Sequence, residues 1–315
     1  MGLKHIAAIA GLVIALALPW ALQAAGVDFY LSVVSRMVVY AIAATSLNLL
    51  IGYGGMISLG HAAFFGLGAY STGVLLSEGV QSAVLHLLVI AVVAGVMALV
   101  IGAISLRTRG VYFIMITLAF AQMLFYLANS VKGYGGDEGL TVKVRSLLPG
   151  GLSLHEPTTF YYVALALLAG VLFFLHRFTD SRFGRAVQAL RDDEVRAEAL
   201  GLPTFACKLV IFVVAGVVCG IAGGLSVNLQ GYVSPNVLYW TQSATLMVMV
   251  ILGGVGTLWG GVLGAVALLL AQEVLSAYTP YFEFWTGWAL LAVVLFARHG
   301  LVGMAASFAK WRARP

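Results

Sequence analysis

Charged residues are scarce in this chain of 315 residues: Asp, Glu, Lys and Arg together make up 9% of it. An ordinary soluble domain contains about 25% of these residues. Hydrophobic residues reach 62%, and the mean hydropathy is +1.02. This composition excludes an ordinary soluble domain and predicts an all-α, polytopic membrane protein in contact with the lipid bilayer. The net charge of +5 does not indicate nucleic-acid binding, because membrane topology explains the basic residues better.

Several catalytic and nucleotide-binding motifs are also missing. No Gly-Lys pair occurs in the sequence, so the chain has no P-loop for ATP. No H-E-x-x-H, G-x-S-x-G or C-x-x-C motif is present, and the only cysteines, Cys207 and Cys219, lack metal-ligand spacing. We therefore expect no enzyme activity, no metal and no cofactor bound by this chain itself.

Charges inside the apolar runs are few. Arg36 and Glu273 are the main ones, and we expect both side chains to reach toward a membrane interface. Carriers driven by protons or sodium usually place acidic residues in the middle of the membrane. This chain offers almost none, so a transport function would draw its driving force from outside the chain.

Apolar runs of about 17 to 25 residues predict transmembrane helices. We count about ten such runs. The pair on either side of residues 52–60 and the pair on either side of residues 258–260 could instead be re-entrant segments. The first run resembles a secretory signal peptide, but its length and Pro19 favour an uncleaved first helix. The predicted spans are residues 6–25, 31–51, 61–77, 83–105, 110–129, 159–176, 208–229, 241–258, 259–277 and 284–298.

The basic residues predict the orientation of these helices. With ten helices, thirteen of the seventeen Lys and Arg residues fall on one side, which we assign to the cytoplasm together with both termini. The opposite side receives a long loop, residues 130–158. The thirteen are Lys4, Arg107, Arg109, Arg177, Arg182, Arg185, Arg191, Arg196, Lys208, Arg298, Lys310, Arg312 and Arg314.

Residues 48–70 form an apolar stretch that does not fit a smooth spanning helix. Its six glycines each cost about 1 kcal/mol relative to alanine in a helix interior. Asn48, Ser58 and His61 put polar groups where lipid offers no partner. Two interpretations stay open: a discontinuous segment that lines a pathway, or close packing of small residues between helices. The glycines are Gly52, Gly54, Gly55, Gly60, Gly66 and Gly68.

A second departure from the apolar pattern is the cytoplasmic loop, about residues 177–207. From about Gly184 to Leu200 it is rich in strong helix formers, and Gly201 followed by Pro203 predicts a helix stop. Charged residues alternate with apolar ones, which predicts one short amphipathic helix outside the membrane. Isolated helices of this length are marginal in water. Docking into a groove of another protein is therefore favoured over a solvated surface helix.

Two further segments are rich in glycine. The external loop contains Gly133–Leu140 with adjacent carboxylates, which predicts turns in either a plain connector or a surface that meets a partner. The run from Gly253 to Gly264 joins two late apolar runs and loosely echoes Gly52–Gly68. Its glycines allow backbones to approach closely.

Four motifs in order make the chain similar to a known family, the LivM-type permeases of branched-chain amino-acid ABC importers. The residues that carry the resemblance span about 30–303. They are the 48–70 stretch NLLIGYGGMISLGHAAFFGLGAY, SRFGR at 181–185 with RDDE at 191–194 and EALG at 198–201, LGGVGTLWG at 252–260, and RHGLVG at 298–303. Two departures occur: the order of Asp137 and Glu138 in the external loop, and Gly261 where the family usually has proline.

The resemblance implies a single transmembrane permease domain over residues 1–315 with the ABC importer permease fold, located in the plasma membrane. It implies four kinds of partner: a LivH-like second permease, two ATP-binding subunits that bind the ATP, an extracytoplasmic substrate-binding protein and lipid. The implied coupling residues are Arg185, Arg191, Asp192, Asp193, Glu194, Glu198 and Gly201. The residues implied to line or pack the translocation route are Asn48, Gly52, Gly55, Ser58, Gly60, His61, Gly253, Gly256 and Gly260.

Two other classes of function remain as alternatives. An ion-coupled secondary transporter would accumulate solute with this chain alone. A membrane enzyme would need His61 in a catalytic role, but no orienting third group or oxyanion site is visible in the sequence. Other polar side chains that are candidates for solute contact are Gln122, Asn228 and Gln242.

Overall fold

The computed structural model describes residues 15–22, 29–281, 284–288, 291 and 300–303, and most of them lie in helices. Residues 15–22 are helical, and a π-helical turn at Leu49–Tyr53 follows α1. The α-helices are α1 (Phe29–Asn48), α2 (His61–Ser77), α3 (Ala83–Ser105), α4 (Val111–Ser130), α5 (Pro157–Asp180), α6 (Arg182–Asp192), α7 (Glu194–Ala199), α8 (Thr204–Gln230), α9 (Trp240–Gly253) and α10 (Gly260–Tyr278).

Six helices in the described part of the chain are long and apolar enough to cross a membrane. The predicted bounds of α2 and α3 agree with the structure, and those of α1, α4, α5, α8 and α10 are within a few residues. The predicted spans 6–25 and 284–298 fall mostly outside the described residues, as do both termini. The count of ten helices therefore stays a prediction. The six are Phe29–Tyr53, Ala83–Ser105, Val111–Ser130, Pro157–Asp180, Thr204–Gln230 and Gly260–Tyr278.

The predicted span 241–258 is wrong at its end, because α9 stops at Gly253. Gly254 and Gly256 have φ angles of +121° and +77°, which an α-helix does not accommodate. The remaining 14 residues rise about 21 Å, less than the roughly 30 Å of a bilayer core. At 17 residues, α2 is also short. Among the numbered apolar helices, α2 and α9 are thus the shortest, and each lies beside one of the glycine-rich breaks.

Two helices form the centre of the bundle. α1 is buried over most of its length and packs against α5, α8, α9 and α10, while α8 also packs against α2 and α3. α8 carries glycines four residues apart, Gly216, Gly220 and Gly224, a spacing that brings small residues to one helix face. The carbonyl of Gly220 lies where a Cβ on Gly68 of α2 would have to go. α2 and α8 are therefore in backbone contact.

The end of the bundle opposite α6 and α7 is tied together by the 130–156 connection. Leu140–Thr141 (β1) pairs antiparallel with Tyr232–Val233 (β2), a small exception to the all-helical prediction. The Asn228 side chain accepts a hydrogen bond from the Ser146 N–H at 2.9 Å. Arg145 donates to the Val142 carbonyl at 2.9 Å, and partial burial lowers the pKa of its guanidinium. The predicted external loop is therefore an ordered cover of this end.

The contact between α2 and α8 predicts a selective cost for a larger side chain. Gly68→Val should lower the free energy of unfolding by about 1–3 kcal/mol, because the new side chain meets the Gly220 backbone. Gly170→Val on α5 is the matched control, since nothing lies within 4 Å of a Cβ there. Thermal unfolding in detergent measures both, and equal midpoints would contradict the close packing.

Candidate functional site

The 48–70 stretch is discontinuous, in agreement with one of its two sequence interpretations. The π-helical turn ends at Tyr53, residues 54–60 are not helical, and α2 begins at His61. Single π turns inside helical segments often occur at functional sites. Gly55 has a φ of +66°, which requires glycine or a strained substitute. The second interpretation, close packing, also holds, because Gly52 packs directly on Gly256.

Asn48 connects this break to the second glycine-rich turn, residues 254–260. Its Nδ2 donates to the Thr257 carbonyl at 2.6 Å, and its Oδ1 accepts from the Gly256 N–H at 3.0 Å. The side chain is 1% exposed. One amide thus satisfies two backbone groups of a turn that lies more than 200 residues away in the sequence. The loose sequence echo between the two glycine runs corresponds to a direct contact.

Arg191, at the end of α6, reaches the same place. Its Nη1 donates to the Gly52 carbonyl at 2.6 Å, and a Cβ on Gly55 would lie 2.7 Å from its Cγ. The guanidinium also donates to Asp192 Oδ1 at 2.8 and 3.0 Å. A cation at the carboxyl end of a helix interacts favourably with the exposed carbonyls there. We call Asn48, Gly52, Gly55, Arg191 and Gly256 the junction.

The junction brings together residues that the sequence assigned to two separate groups. Arg191 and Asp192 belong to the predicted coupling residues, whereas Asn48, Gly52 and Gly256 belong to the predicted pathway or packing residues. The contact is a charge-assisted hydrogen bond, a type worth about 1.5–3 kcal/mol. The bond therefore joins the end of α6 to the π-helical turn that follows α1.

Ser58, Gly60 and His61 lie beyond the junction at the start of α2. Ser58 Oγ accepts from the Gly60 N–H at 3.2 Å, and a Cβ on Gly60 would meet the Thr117 carbonyl at 2.6 Å. His61 is fully buried, and its Nε2 lies 3.0 Å from Ser46 Oγ. Ser58 is outside α2, so Ser58 and His61 do not share a helix face. These contacts place Ser58, Gly60 and His61 in the packed interior of the bundle.

Gly253 and Gly260 close the hairpin between α9 and α10. A Cβ on Gly253 would overlap the Gly260 carbonyl, and one on Gly260 would overlap the Gly254 carbonyl. Gly300 also packs on Gly254. The late motif and the C-terminal motif of the sequence therefore meet at the same end of the bundle.

Residues 182–199, which contain the predicted coupling residues, form two helices, so the prediction of one helix from about 184 to 200 is wrong. Asp193 is extended, with φ −156° and ψ 99°, and its Oδ1 accepts from the Arg196 N–H at 3.0 Å. Asp at an N-cap ends one helix and starts the next. The predicted stop is confirmed: α7 ends at Ala199, and Gly201 has a φ of +80°.

Glu194, Arg185 and Glu198 occupy different environments. Glu194 contacts Lys208 Nζ at 2.7 Å and Arg109 Nη2 at 3.3 Å, which joins α7 to α8 and to the turn after α3. Arg185 and Glu198 are exposed. The apolar residues of the segment also differ in burial: Val187 and Leu190 of α6 and Ala197 of α7 are buried, but Val195 and Leu200 are 72% and 77% exposed.

Arg36 and Glu273 pair with each other across α1 and α10, with 3.3 Å between Nη2 and Oε2. The expectation that both side chains reach toward a membrane interface stays a prediction. The polar candidates Asn228 and Gln242 are also bonded within the chain; Gln242 donates to the Tyr40 hydroxyl at 3.1 Å. In the described residues, no three His, Cys, Asp or Glu side chains are placed to hold a metal ion.

Sequence reasoning missed several residues that hold the site. Ser243 on α9 accepts from the Ala62 N–H at 2.7 Å and so caps the first turn of α2. Ser46 and Thr117 contact His61 and Gly60, as described above. The spacing of Gly216, Gly220 and Gly224 was a readable signal for the α8 contact, but nothing in the sequence marks the two serines.

These features define a multi-pass helical membrane protein whose interrupted helices are tied to a surface helix pair. A family model described as "Branched-chain amino acid transport system / permease component" matches residues 29–298. The chain belongs to this family.

Curated relatives agree with that membership. The chain is 28% identical over 93% of its length to the high-affinity branched-chain amino acid transport system permease protein LivM of Salmonella typhimurium, covering 73% of that protein. It is 28% identical over 94% of its length to LivM of Escherichia coli, covering 74% of it. The Escherichia coli permease LivH is 30% identical over 44% of each chain. No solved structure gives a significant match.

The hydrogen bonds of Asn48 predict a loss of stability when its amide is removed. Asn48→Ala should lower the free energy of unfolding by about 1–3 kcal/mol, because the Gly256 N–H and the Thr257 carbonyl lose their buried partner. Exposed Asn236, whose side chain makes no hydrogen bond within the described residues, provides the control Asn236→Ala. Thermal unfolding in detergent compares the two, and an unchanged midpoint for Asn48→Ala would contradict its bridging role.

Proposed function

We propose that this chain is one of two membrane-spanning subunits of an ATP-driven importer for branched-chain amino acids in the plasma membrane. A LivH-like permease is the second such subunit. Two ATP-binding subunits supply the energy, and a substrate-binding protein delivers solute from the opposite side. The observation that carries the proposal is the hydrogen bond from Arg191 to Gly52, since it connects a surface helix pair to an interrupted helix of the bundle.

The surface helix pair has two faces suited to this role. Val187 and Leu190 of α6 are 2% and 4% exposed, so α6 is anchored in its own bundle. Val195 of α7 and Leu200, which directly follows that helix, are exposed. Apolar anchors on a short helix fit helix-in-groove recognition. In the proposed arrangement α7 enters a groove of an ATP-binding subunit, and α6 holds it to the membrane domain.

The junction then converts motion of the helix pair into motion of the spanning helices. When ATP closes the ATP-binding subunits, α6 and α7 move with them, and Arg191 displaces Gly52 and its neighbour Gly256. The 54–60 break and the 254–260 turn act as the hinges, because interrupted backbone absorbs changes in φ and ψ. The ends of α1, α9 and α10 reorient, which opens the translocation route alternately to the two sides.

Ion coupling by this chain alone is the less supported alternative. Proton- or sodium-driven carriers use acidic side chains at membrane depth. Glu273 is the acidic residue within α10, and it is neutralised by Arg36.

The exposed residues of the 130–156 connection give the substrate-binding protein a surface on the side away from α6 and α7.

A charge placed on α7 tests the docking. Val195→Asp should reduce recovery of the ATP-binding subunits with the tagged complex, because a desolvated carboxylate has no partner in an apolar groove. Exposed Val144 in the 130–156 connection gives the matched control, Val144→Asp, which should leave recovery unchanged. Immunoblotting of complexes purified in mild detergent measures both variants. Equal recovery would mean that α7 is not the docking helix.

The complete proposal is tested by purification of the tagged chain from its native host in mild detergent, followed by mass spectrometry. Recovery of a second permease and two ATP-binding subunits, together with ATP-dependent leucine uptake in liposomes, is the expected result. A chain that purifies alone and moves leucine without ATP would overturn the proposal in favour of a self-sufficient carrier.

A further inference from the structure

A cavity of about 200 Å³ opens beside the junction. It lies between the 54–60 break, the turn joining α3 to α4, α7 and the first turn of α8. A cavity needs roughly 10–15 Å³ to hold one water molecule, so this cavity is large enough for a small organic molecule. It is on the side of the bundle that carries α6 and α7, which the basic residues assign to the cytoplasm.

Three charged side chains meet at this cavity. Lys208 Nζ and Arg109 Nη2 both contact Oε1 of Glu194, at 2.7 and 3.3 Å. The other carboxylate oxygen, Oε2, has no ion pair among the described residues. The Arg109 side chain is 69% exposed, and exposed ion pairs are worth only about 0–1 kcal/mol. Its guanidinium can therefore turn to a second carboxylate at little cost.

The remaining wall of the cavity is largely apolar. Phe113 and Ile114 of α4 line one side, and Ile57 of the break lines another and is 44% exposed. The cavity thus combines a cationic group available for a carboxylate, a carboxylate oxygen available for an ammonium, and an apolar surface. An α-amino acid with an apolar side chain is complementary to all three.

We propose that this cavity is a cytoplasmic feedback site for a zwitterionic α-amino acid with an apolar side chain, the class of cargo that the proposed function assigns to the importer. The ligand carboxylate pairs with Arg109, its ammonium pairs with Glu194 Oε2, and its side chain contacts Ile57 and Ile114. A ligand bound in this way fastens α7 to the turn between α3 and α4. Cargo accumulated in the cytoplasm then restrains the helix pair and slows import.

The test uses the complete importer in liposomes, with ATP trapped inside and binding protein added outside, so that only correctly oriented complexes work. Vesicles are preloaded with L-leucine, with 4-methylpentanoate, which lacks the ammonium, or with isopentylamine, which lacks the carboxylate. Initial uptake of labelled L-leucine should fall several-fold with luminal L-leucine and little with either analogue. Equal uptake under all loads would overturn the feedback site.

A variant that fills the cavity distinguishes inhibition at this site from inhibition at the translocation route. Ile114→Trp should abolish the inhibition by luminal L-leucine, whereas Met115→Trp should retain it, because Met115 is 61% exposed on the same helix and does not line the cavity. Each variant is scored as the ratio of uptake into loaded and empty vesicles. Inhibition of Ile114→Trp as strong as in the unsubstituted protein would assign the effect to the translocation route and refute the proposal.

Two further measurements keep the proposal testable if Ile114→Trp does not fold. Arg109→Gln, at an exposed position, should also lose the inhibition. Ile57→Cys places a thiol at the cavity, and Cys207 and Cys219 are buried, so a maleimide should label the new thiol selectively. L-Leucine without binding protein should slow this labelling, and unchanged labelling would count against binding. Absence of ATP-dependent uptake into empty vesicles would instead refute the proposed function.

Discussion

Backbone polar groups that leave a helix within a membrane protein must find new partners, because lipid supplies none. In the described part of this chain, the helices are interrupted at residues 54–60 and 254–260, and a few side chains satisfy several of the freed groups. Asn48 bonds the second turn, and Arg191 bonds the Gly52 carbonyl at the end of the first. The interrupted helices and the surface helix pair are therefore held by one shared set of bonds.

Glycine makes that arrangement possible because it removes the side chains that would keep these backbones apart. Gly52 packs on Gly256, and Gly68 packs on Gly220, in each case at a separation that excludes a Cβ. The conformational cost of glycine within helices is offset by the contacts that it permits. The proposed mechanism depends on this proximity, because a displacement of Arg191 acts directly on the packed backbone of the two hinges.

Much of this arrangement could be predicted from local patterns in the sequence. The apolar runs predicted most helix bounds, and the glycines with Asn48 marked the interrupted stretch. The helix stop at Gly201 was likewise evident. Asp193 was read as one more charge on a single helix, although Asp also favours N-cap positions and there divides the segment in two. The pairing of Arg36 with Glu273 joins residues 237 positions apart, so no local pattern could reveal it.

The sequence by itself determined the membrane class and the first interrupted stretch, and its basic residues predict which side of the membrane is cytoplasmic. These depend on hydropathy, glycine content and charge, which act locally along the chain. Only the tertiary structure decided that Arg191 of α6 touches the interrupted helix, and that Arg109, Glu194 and Lys208 surround one cavity. Such contacts depend on how helices that are far apart in the sequence pack together. The shapes of several helices jointly set that packing, so no single segment reveals it.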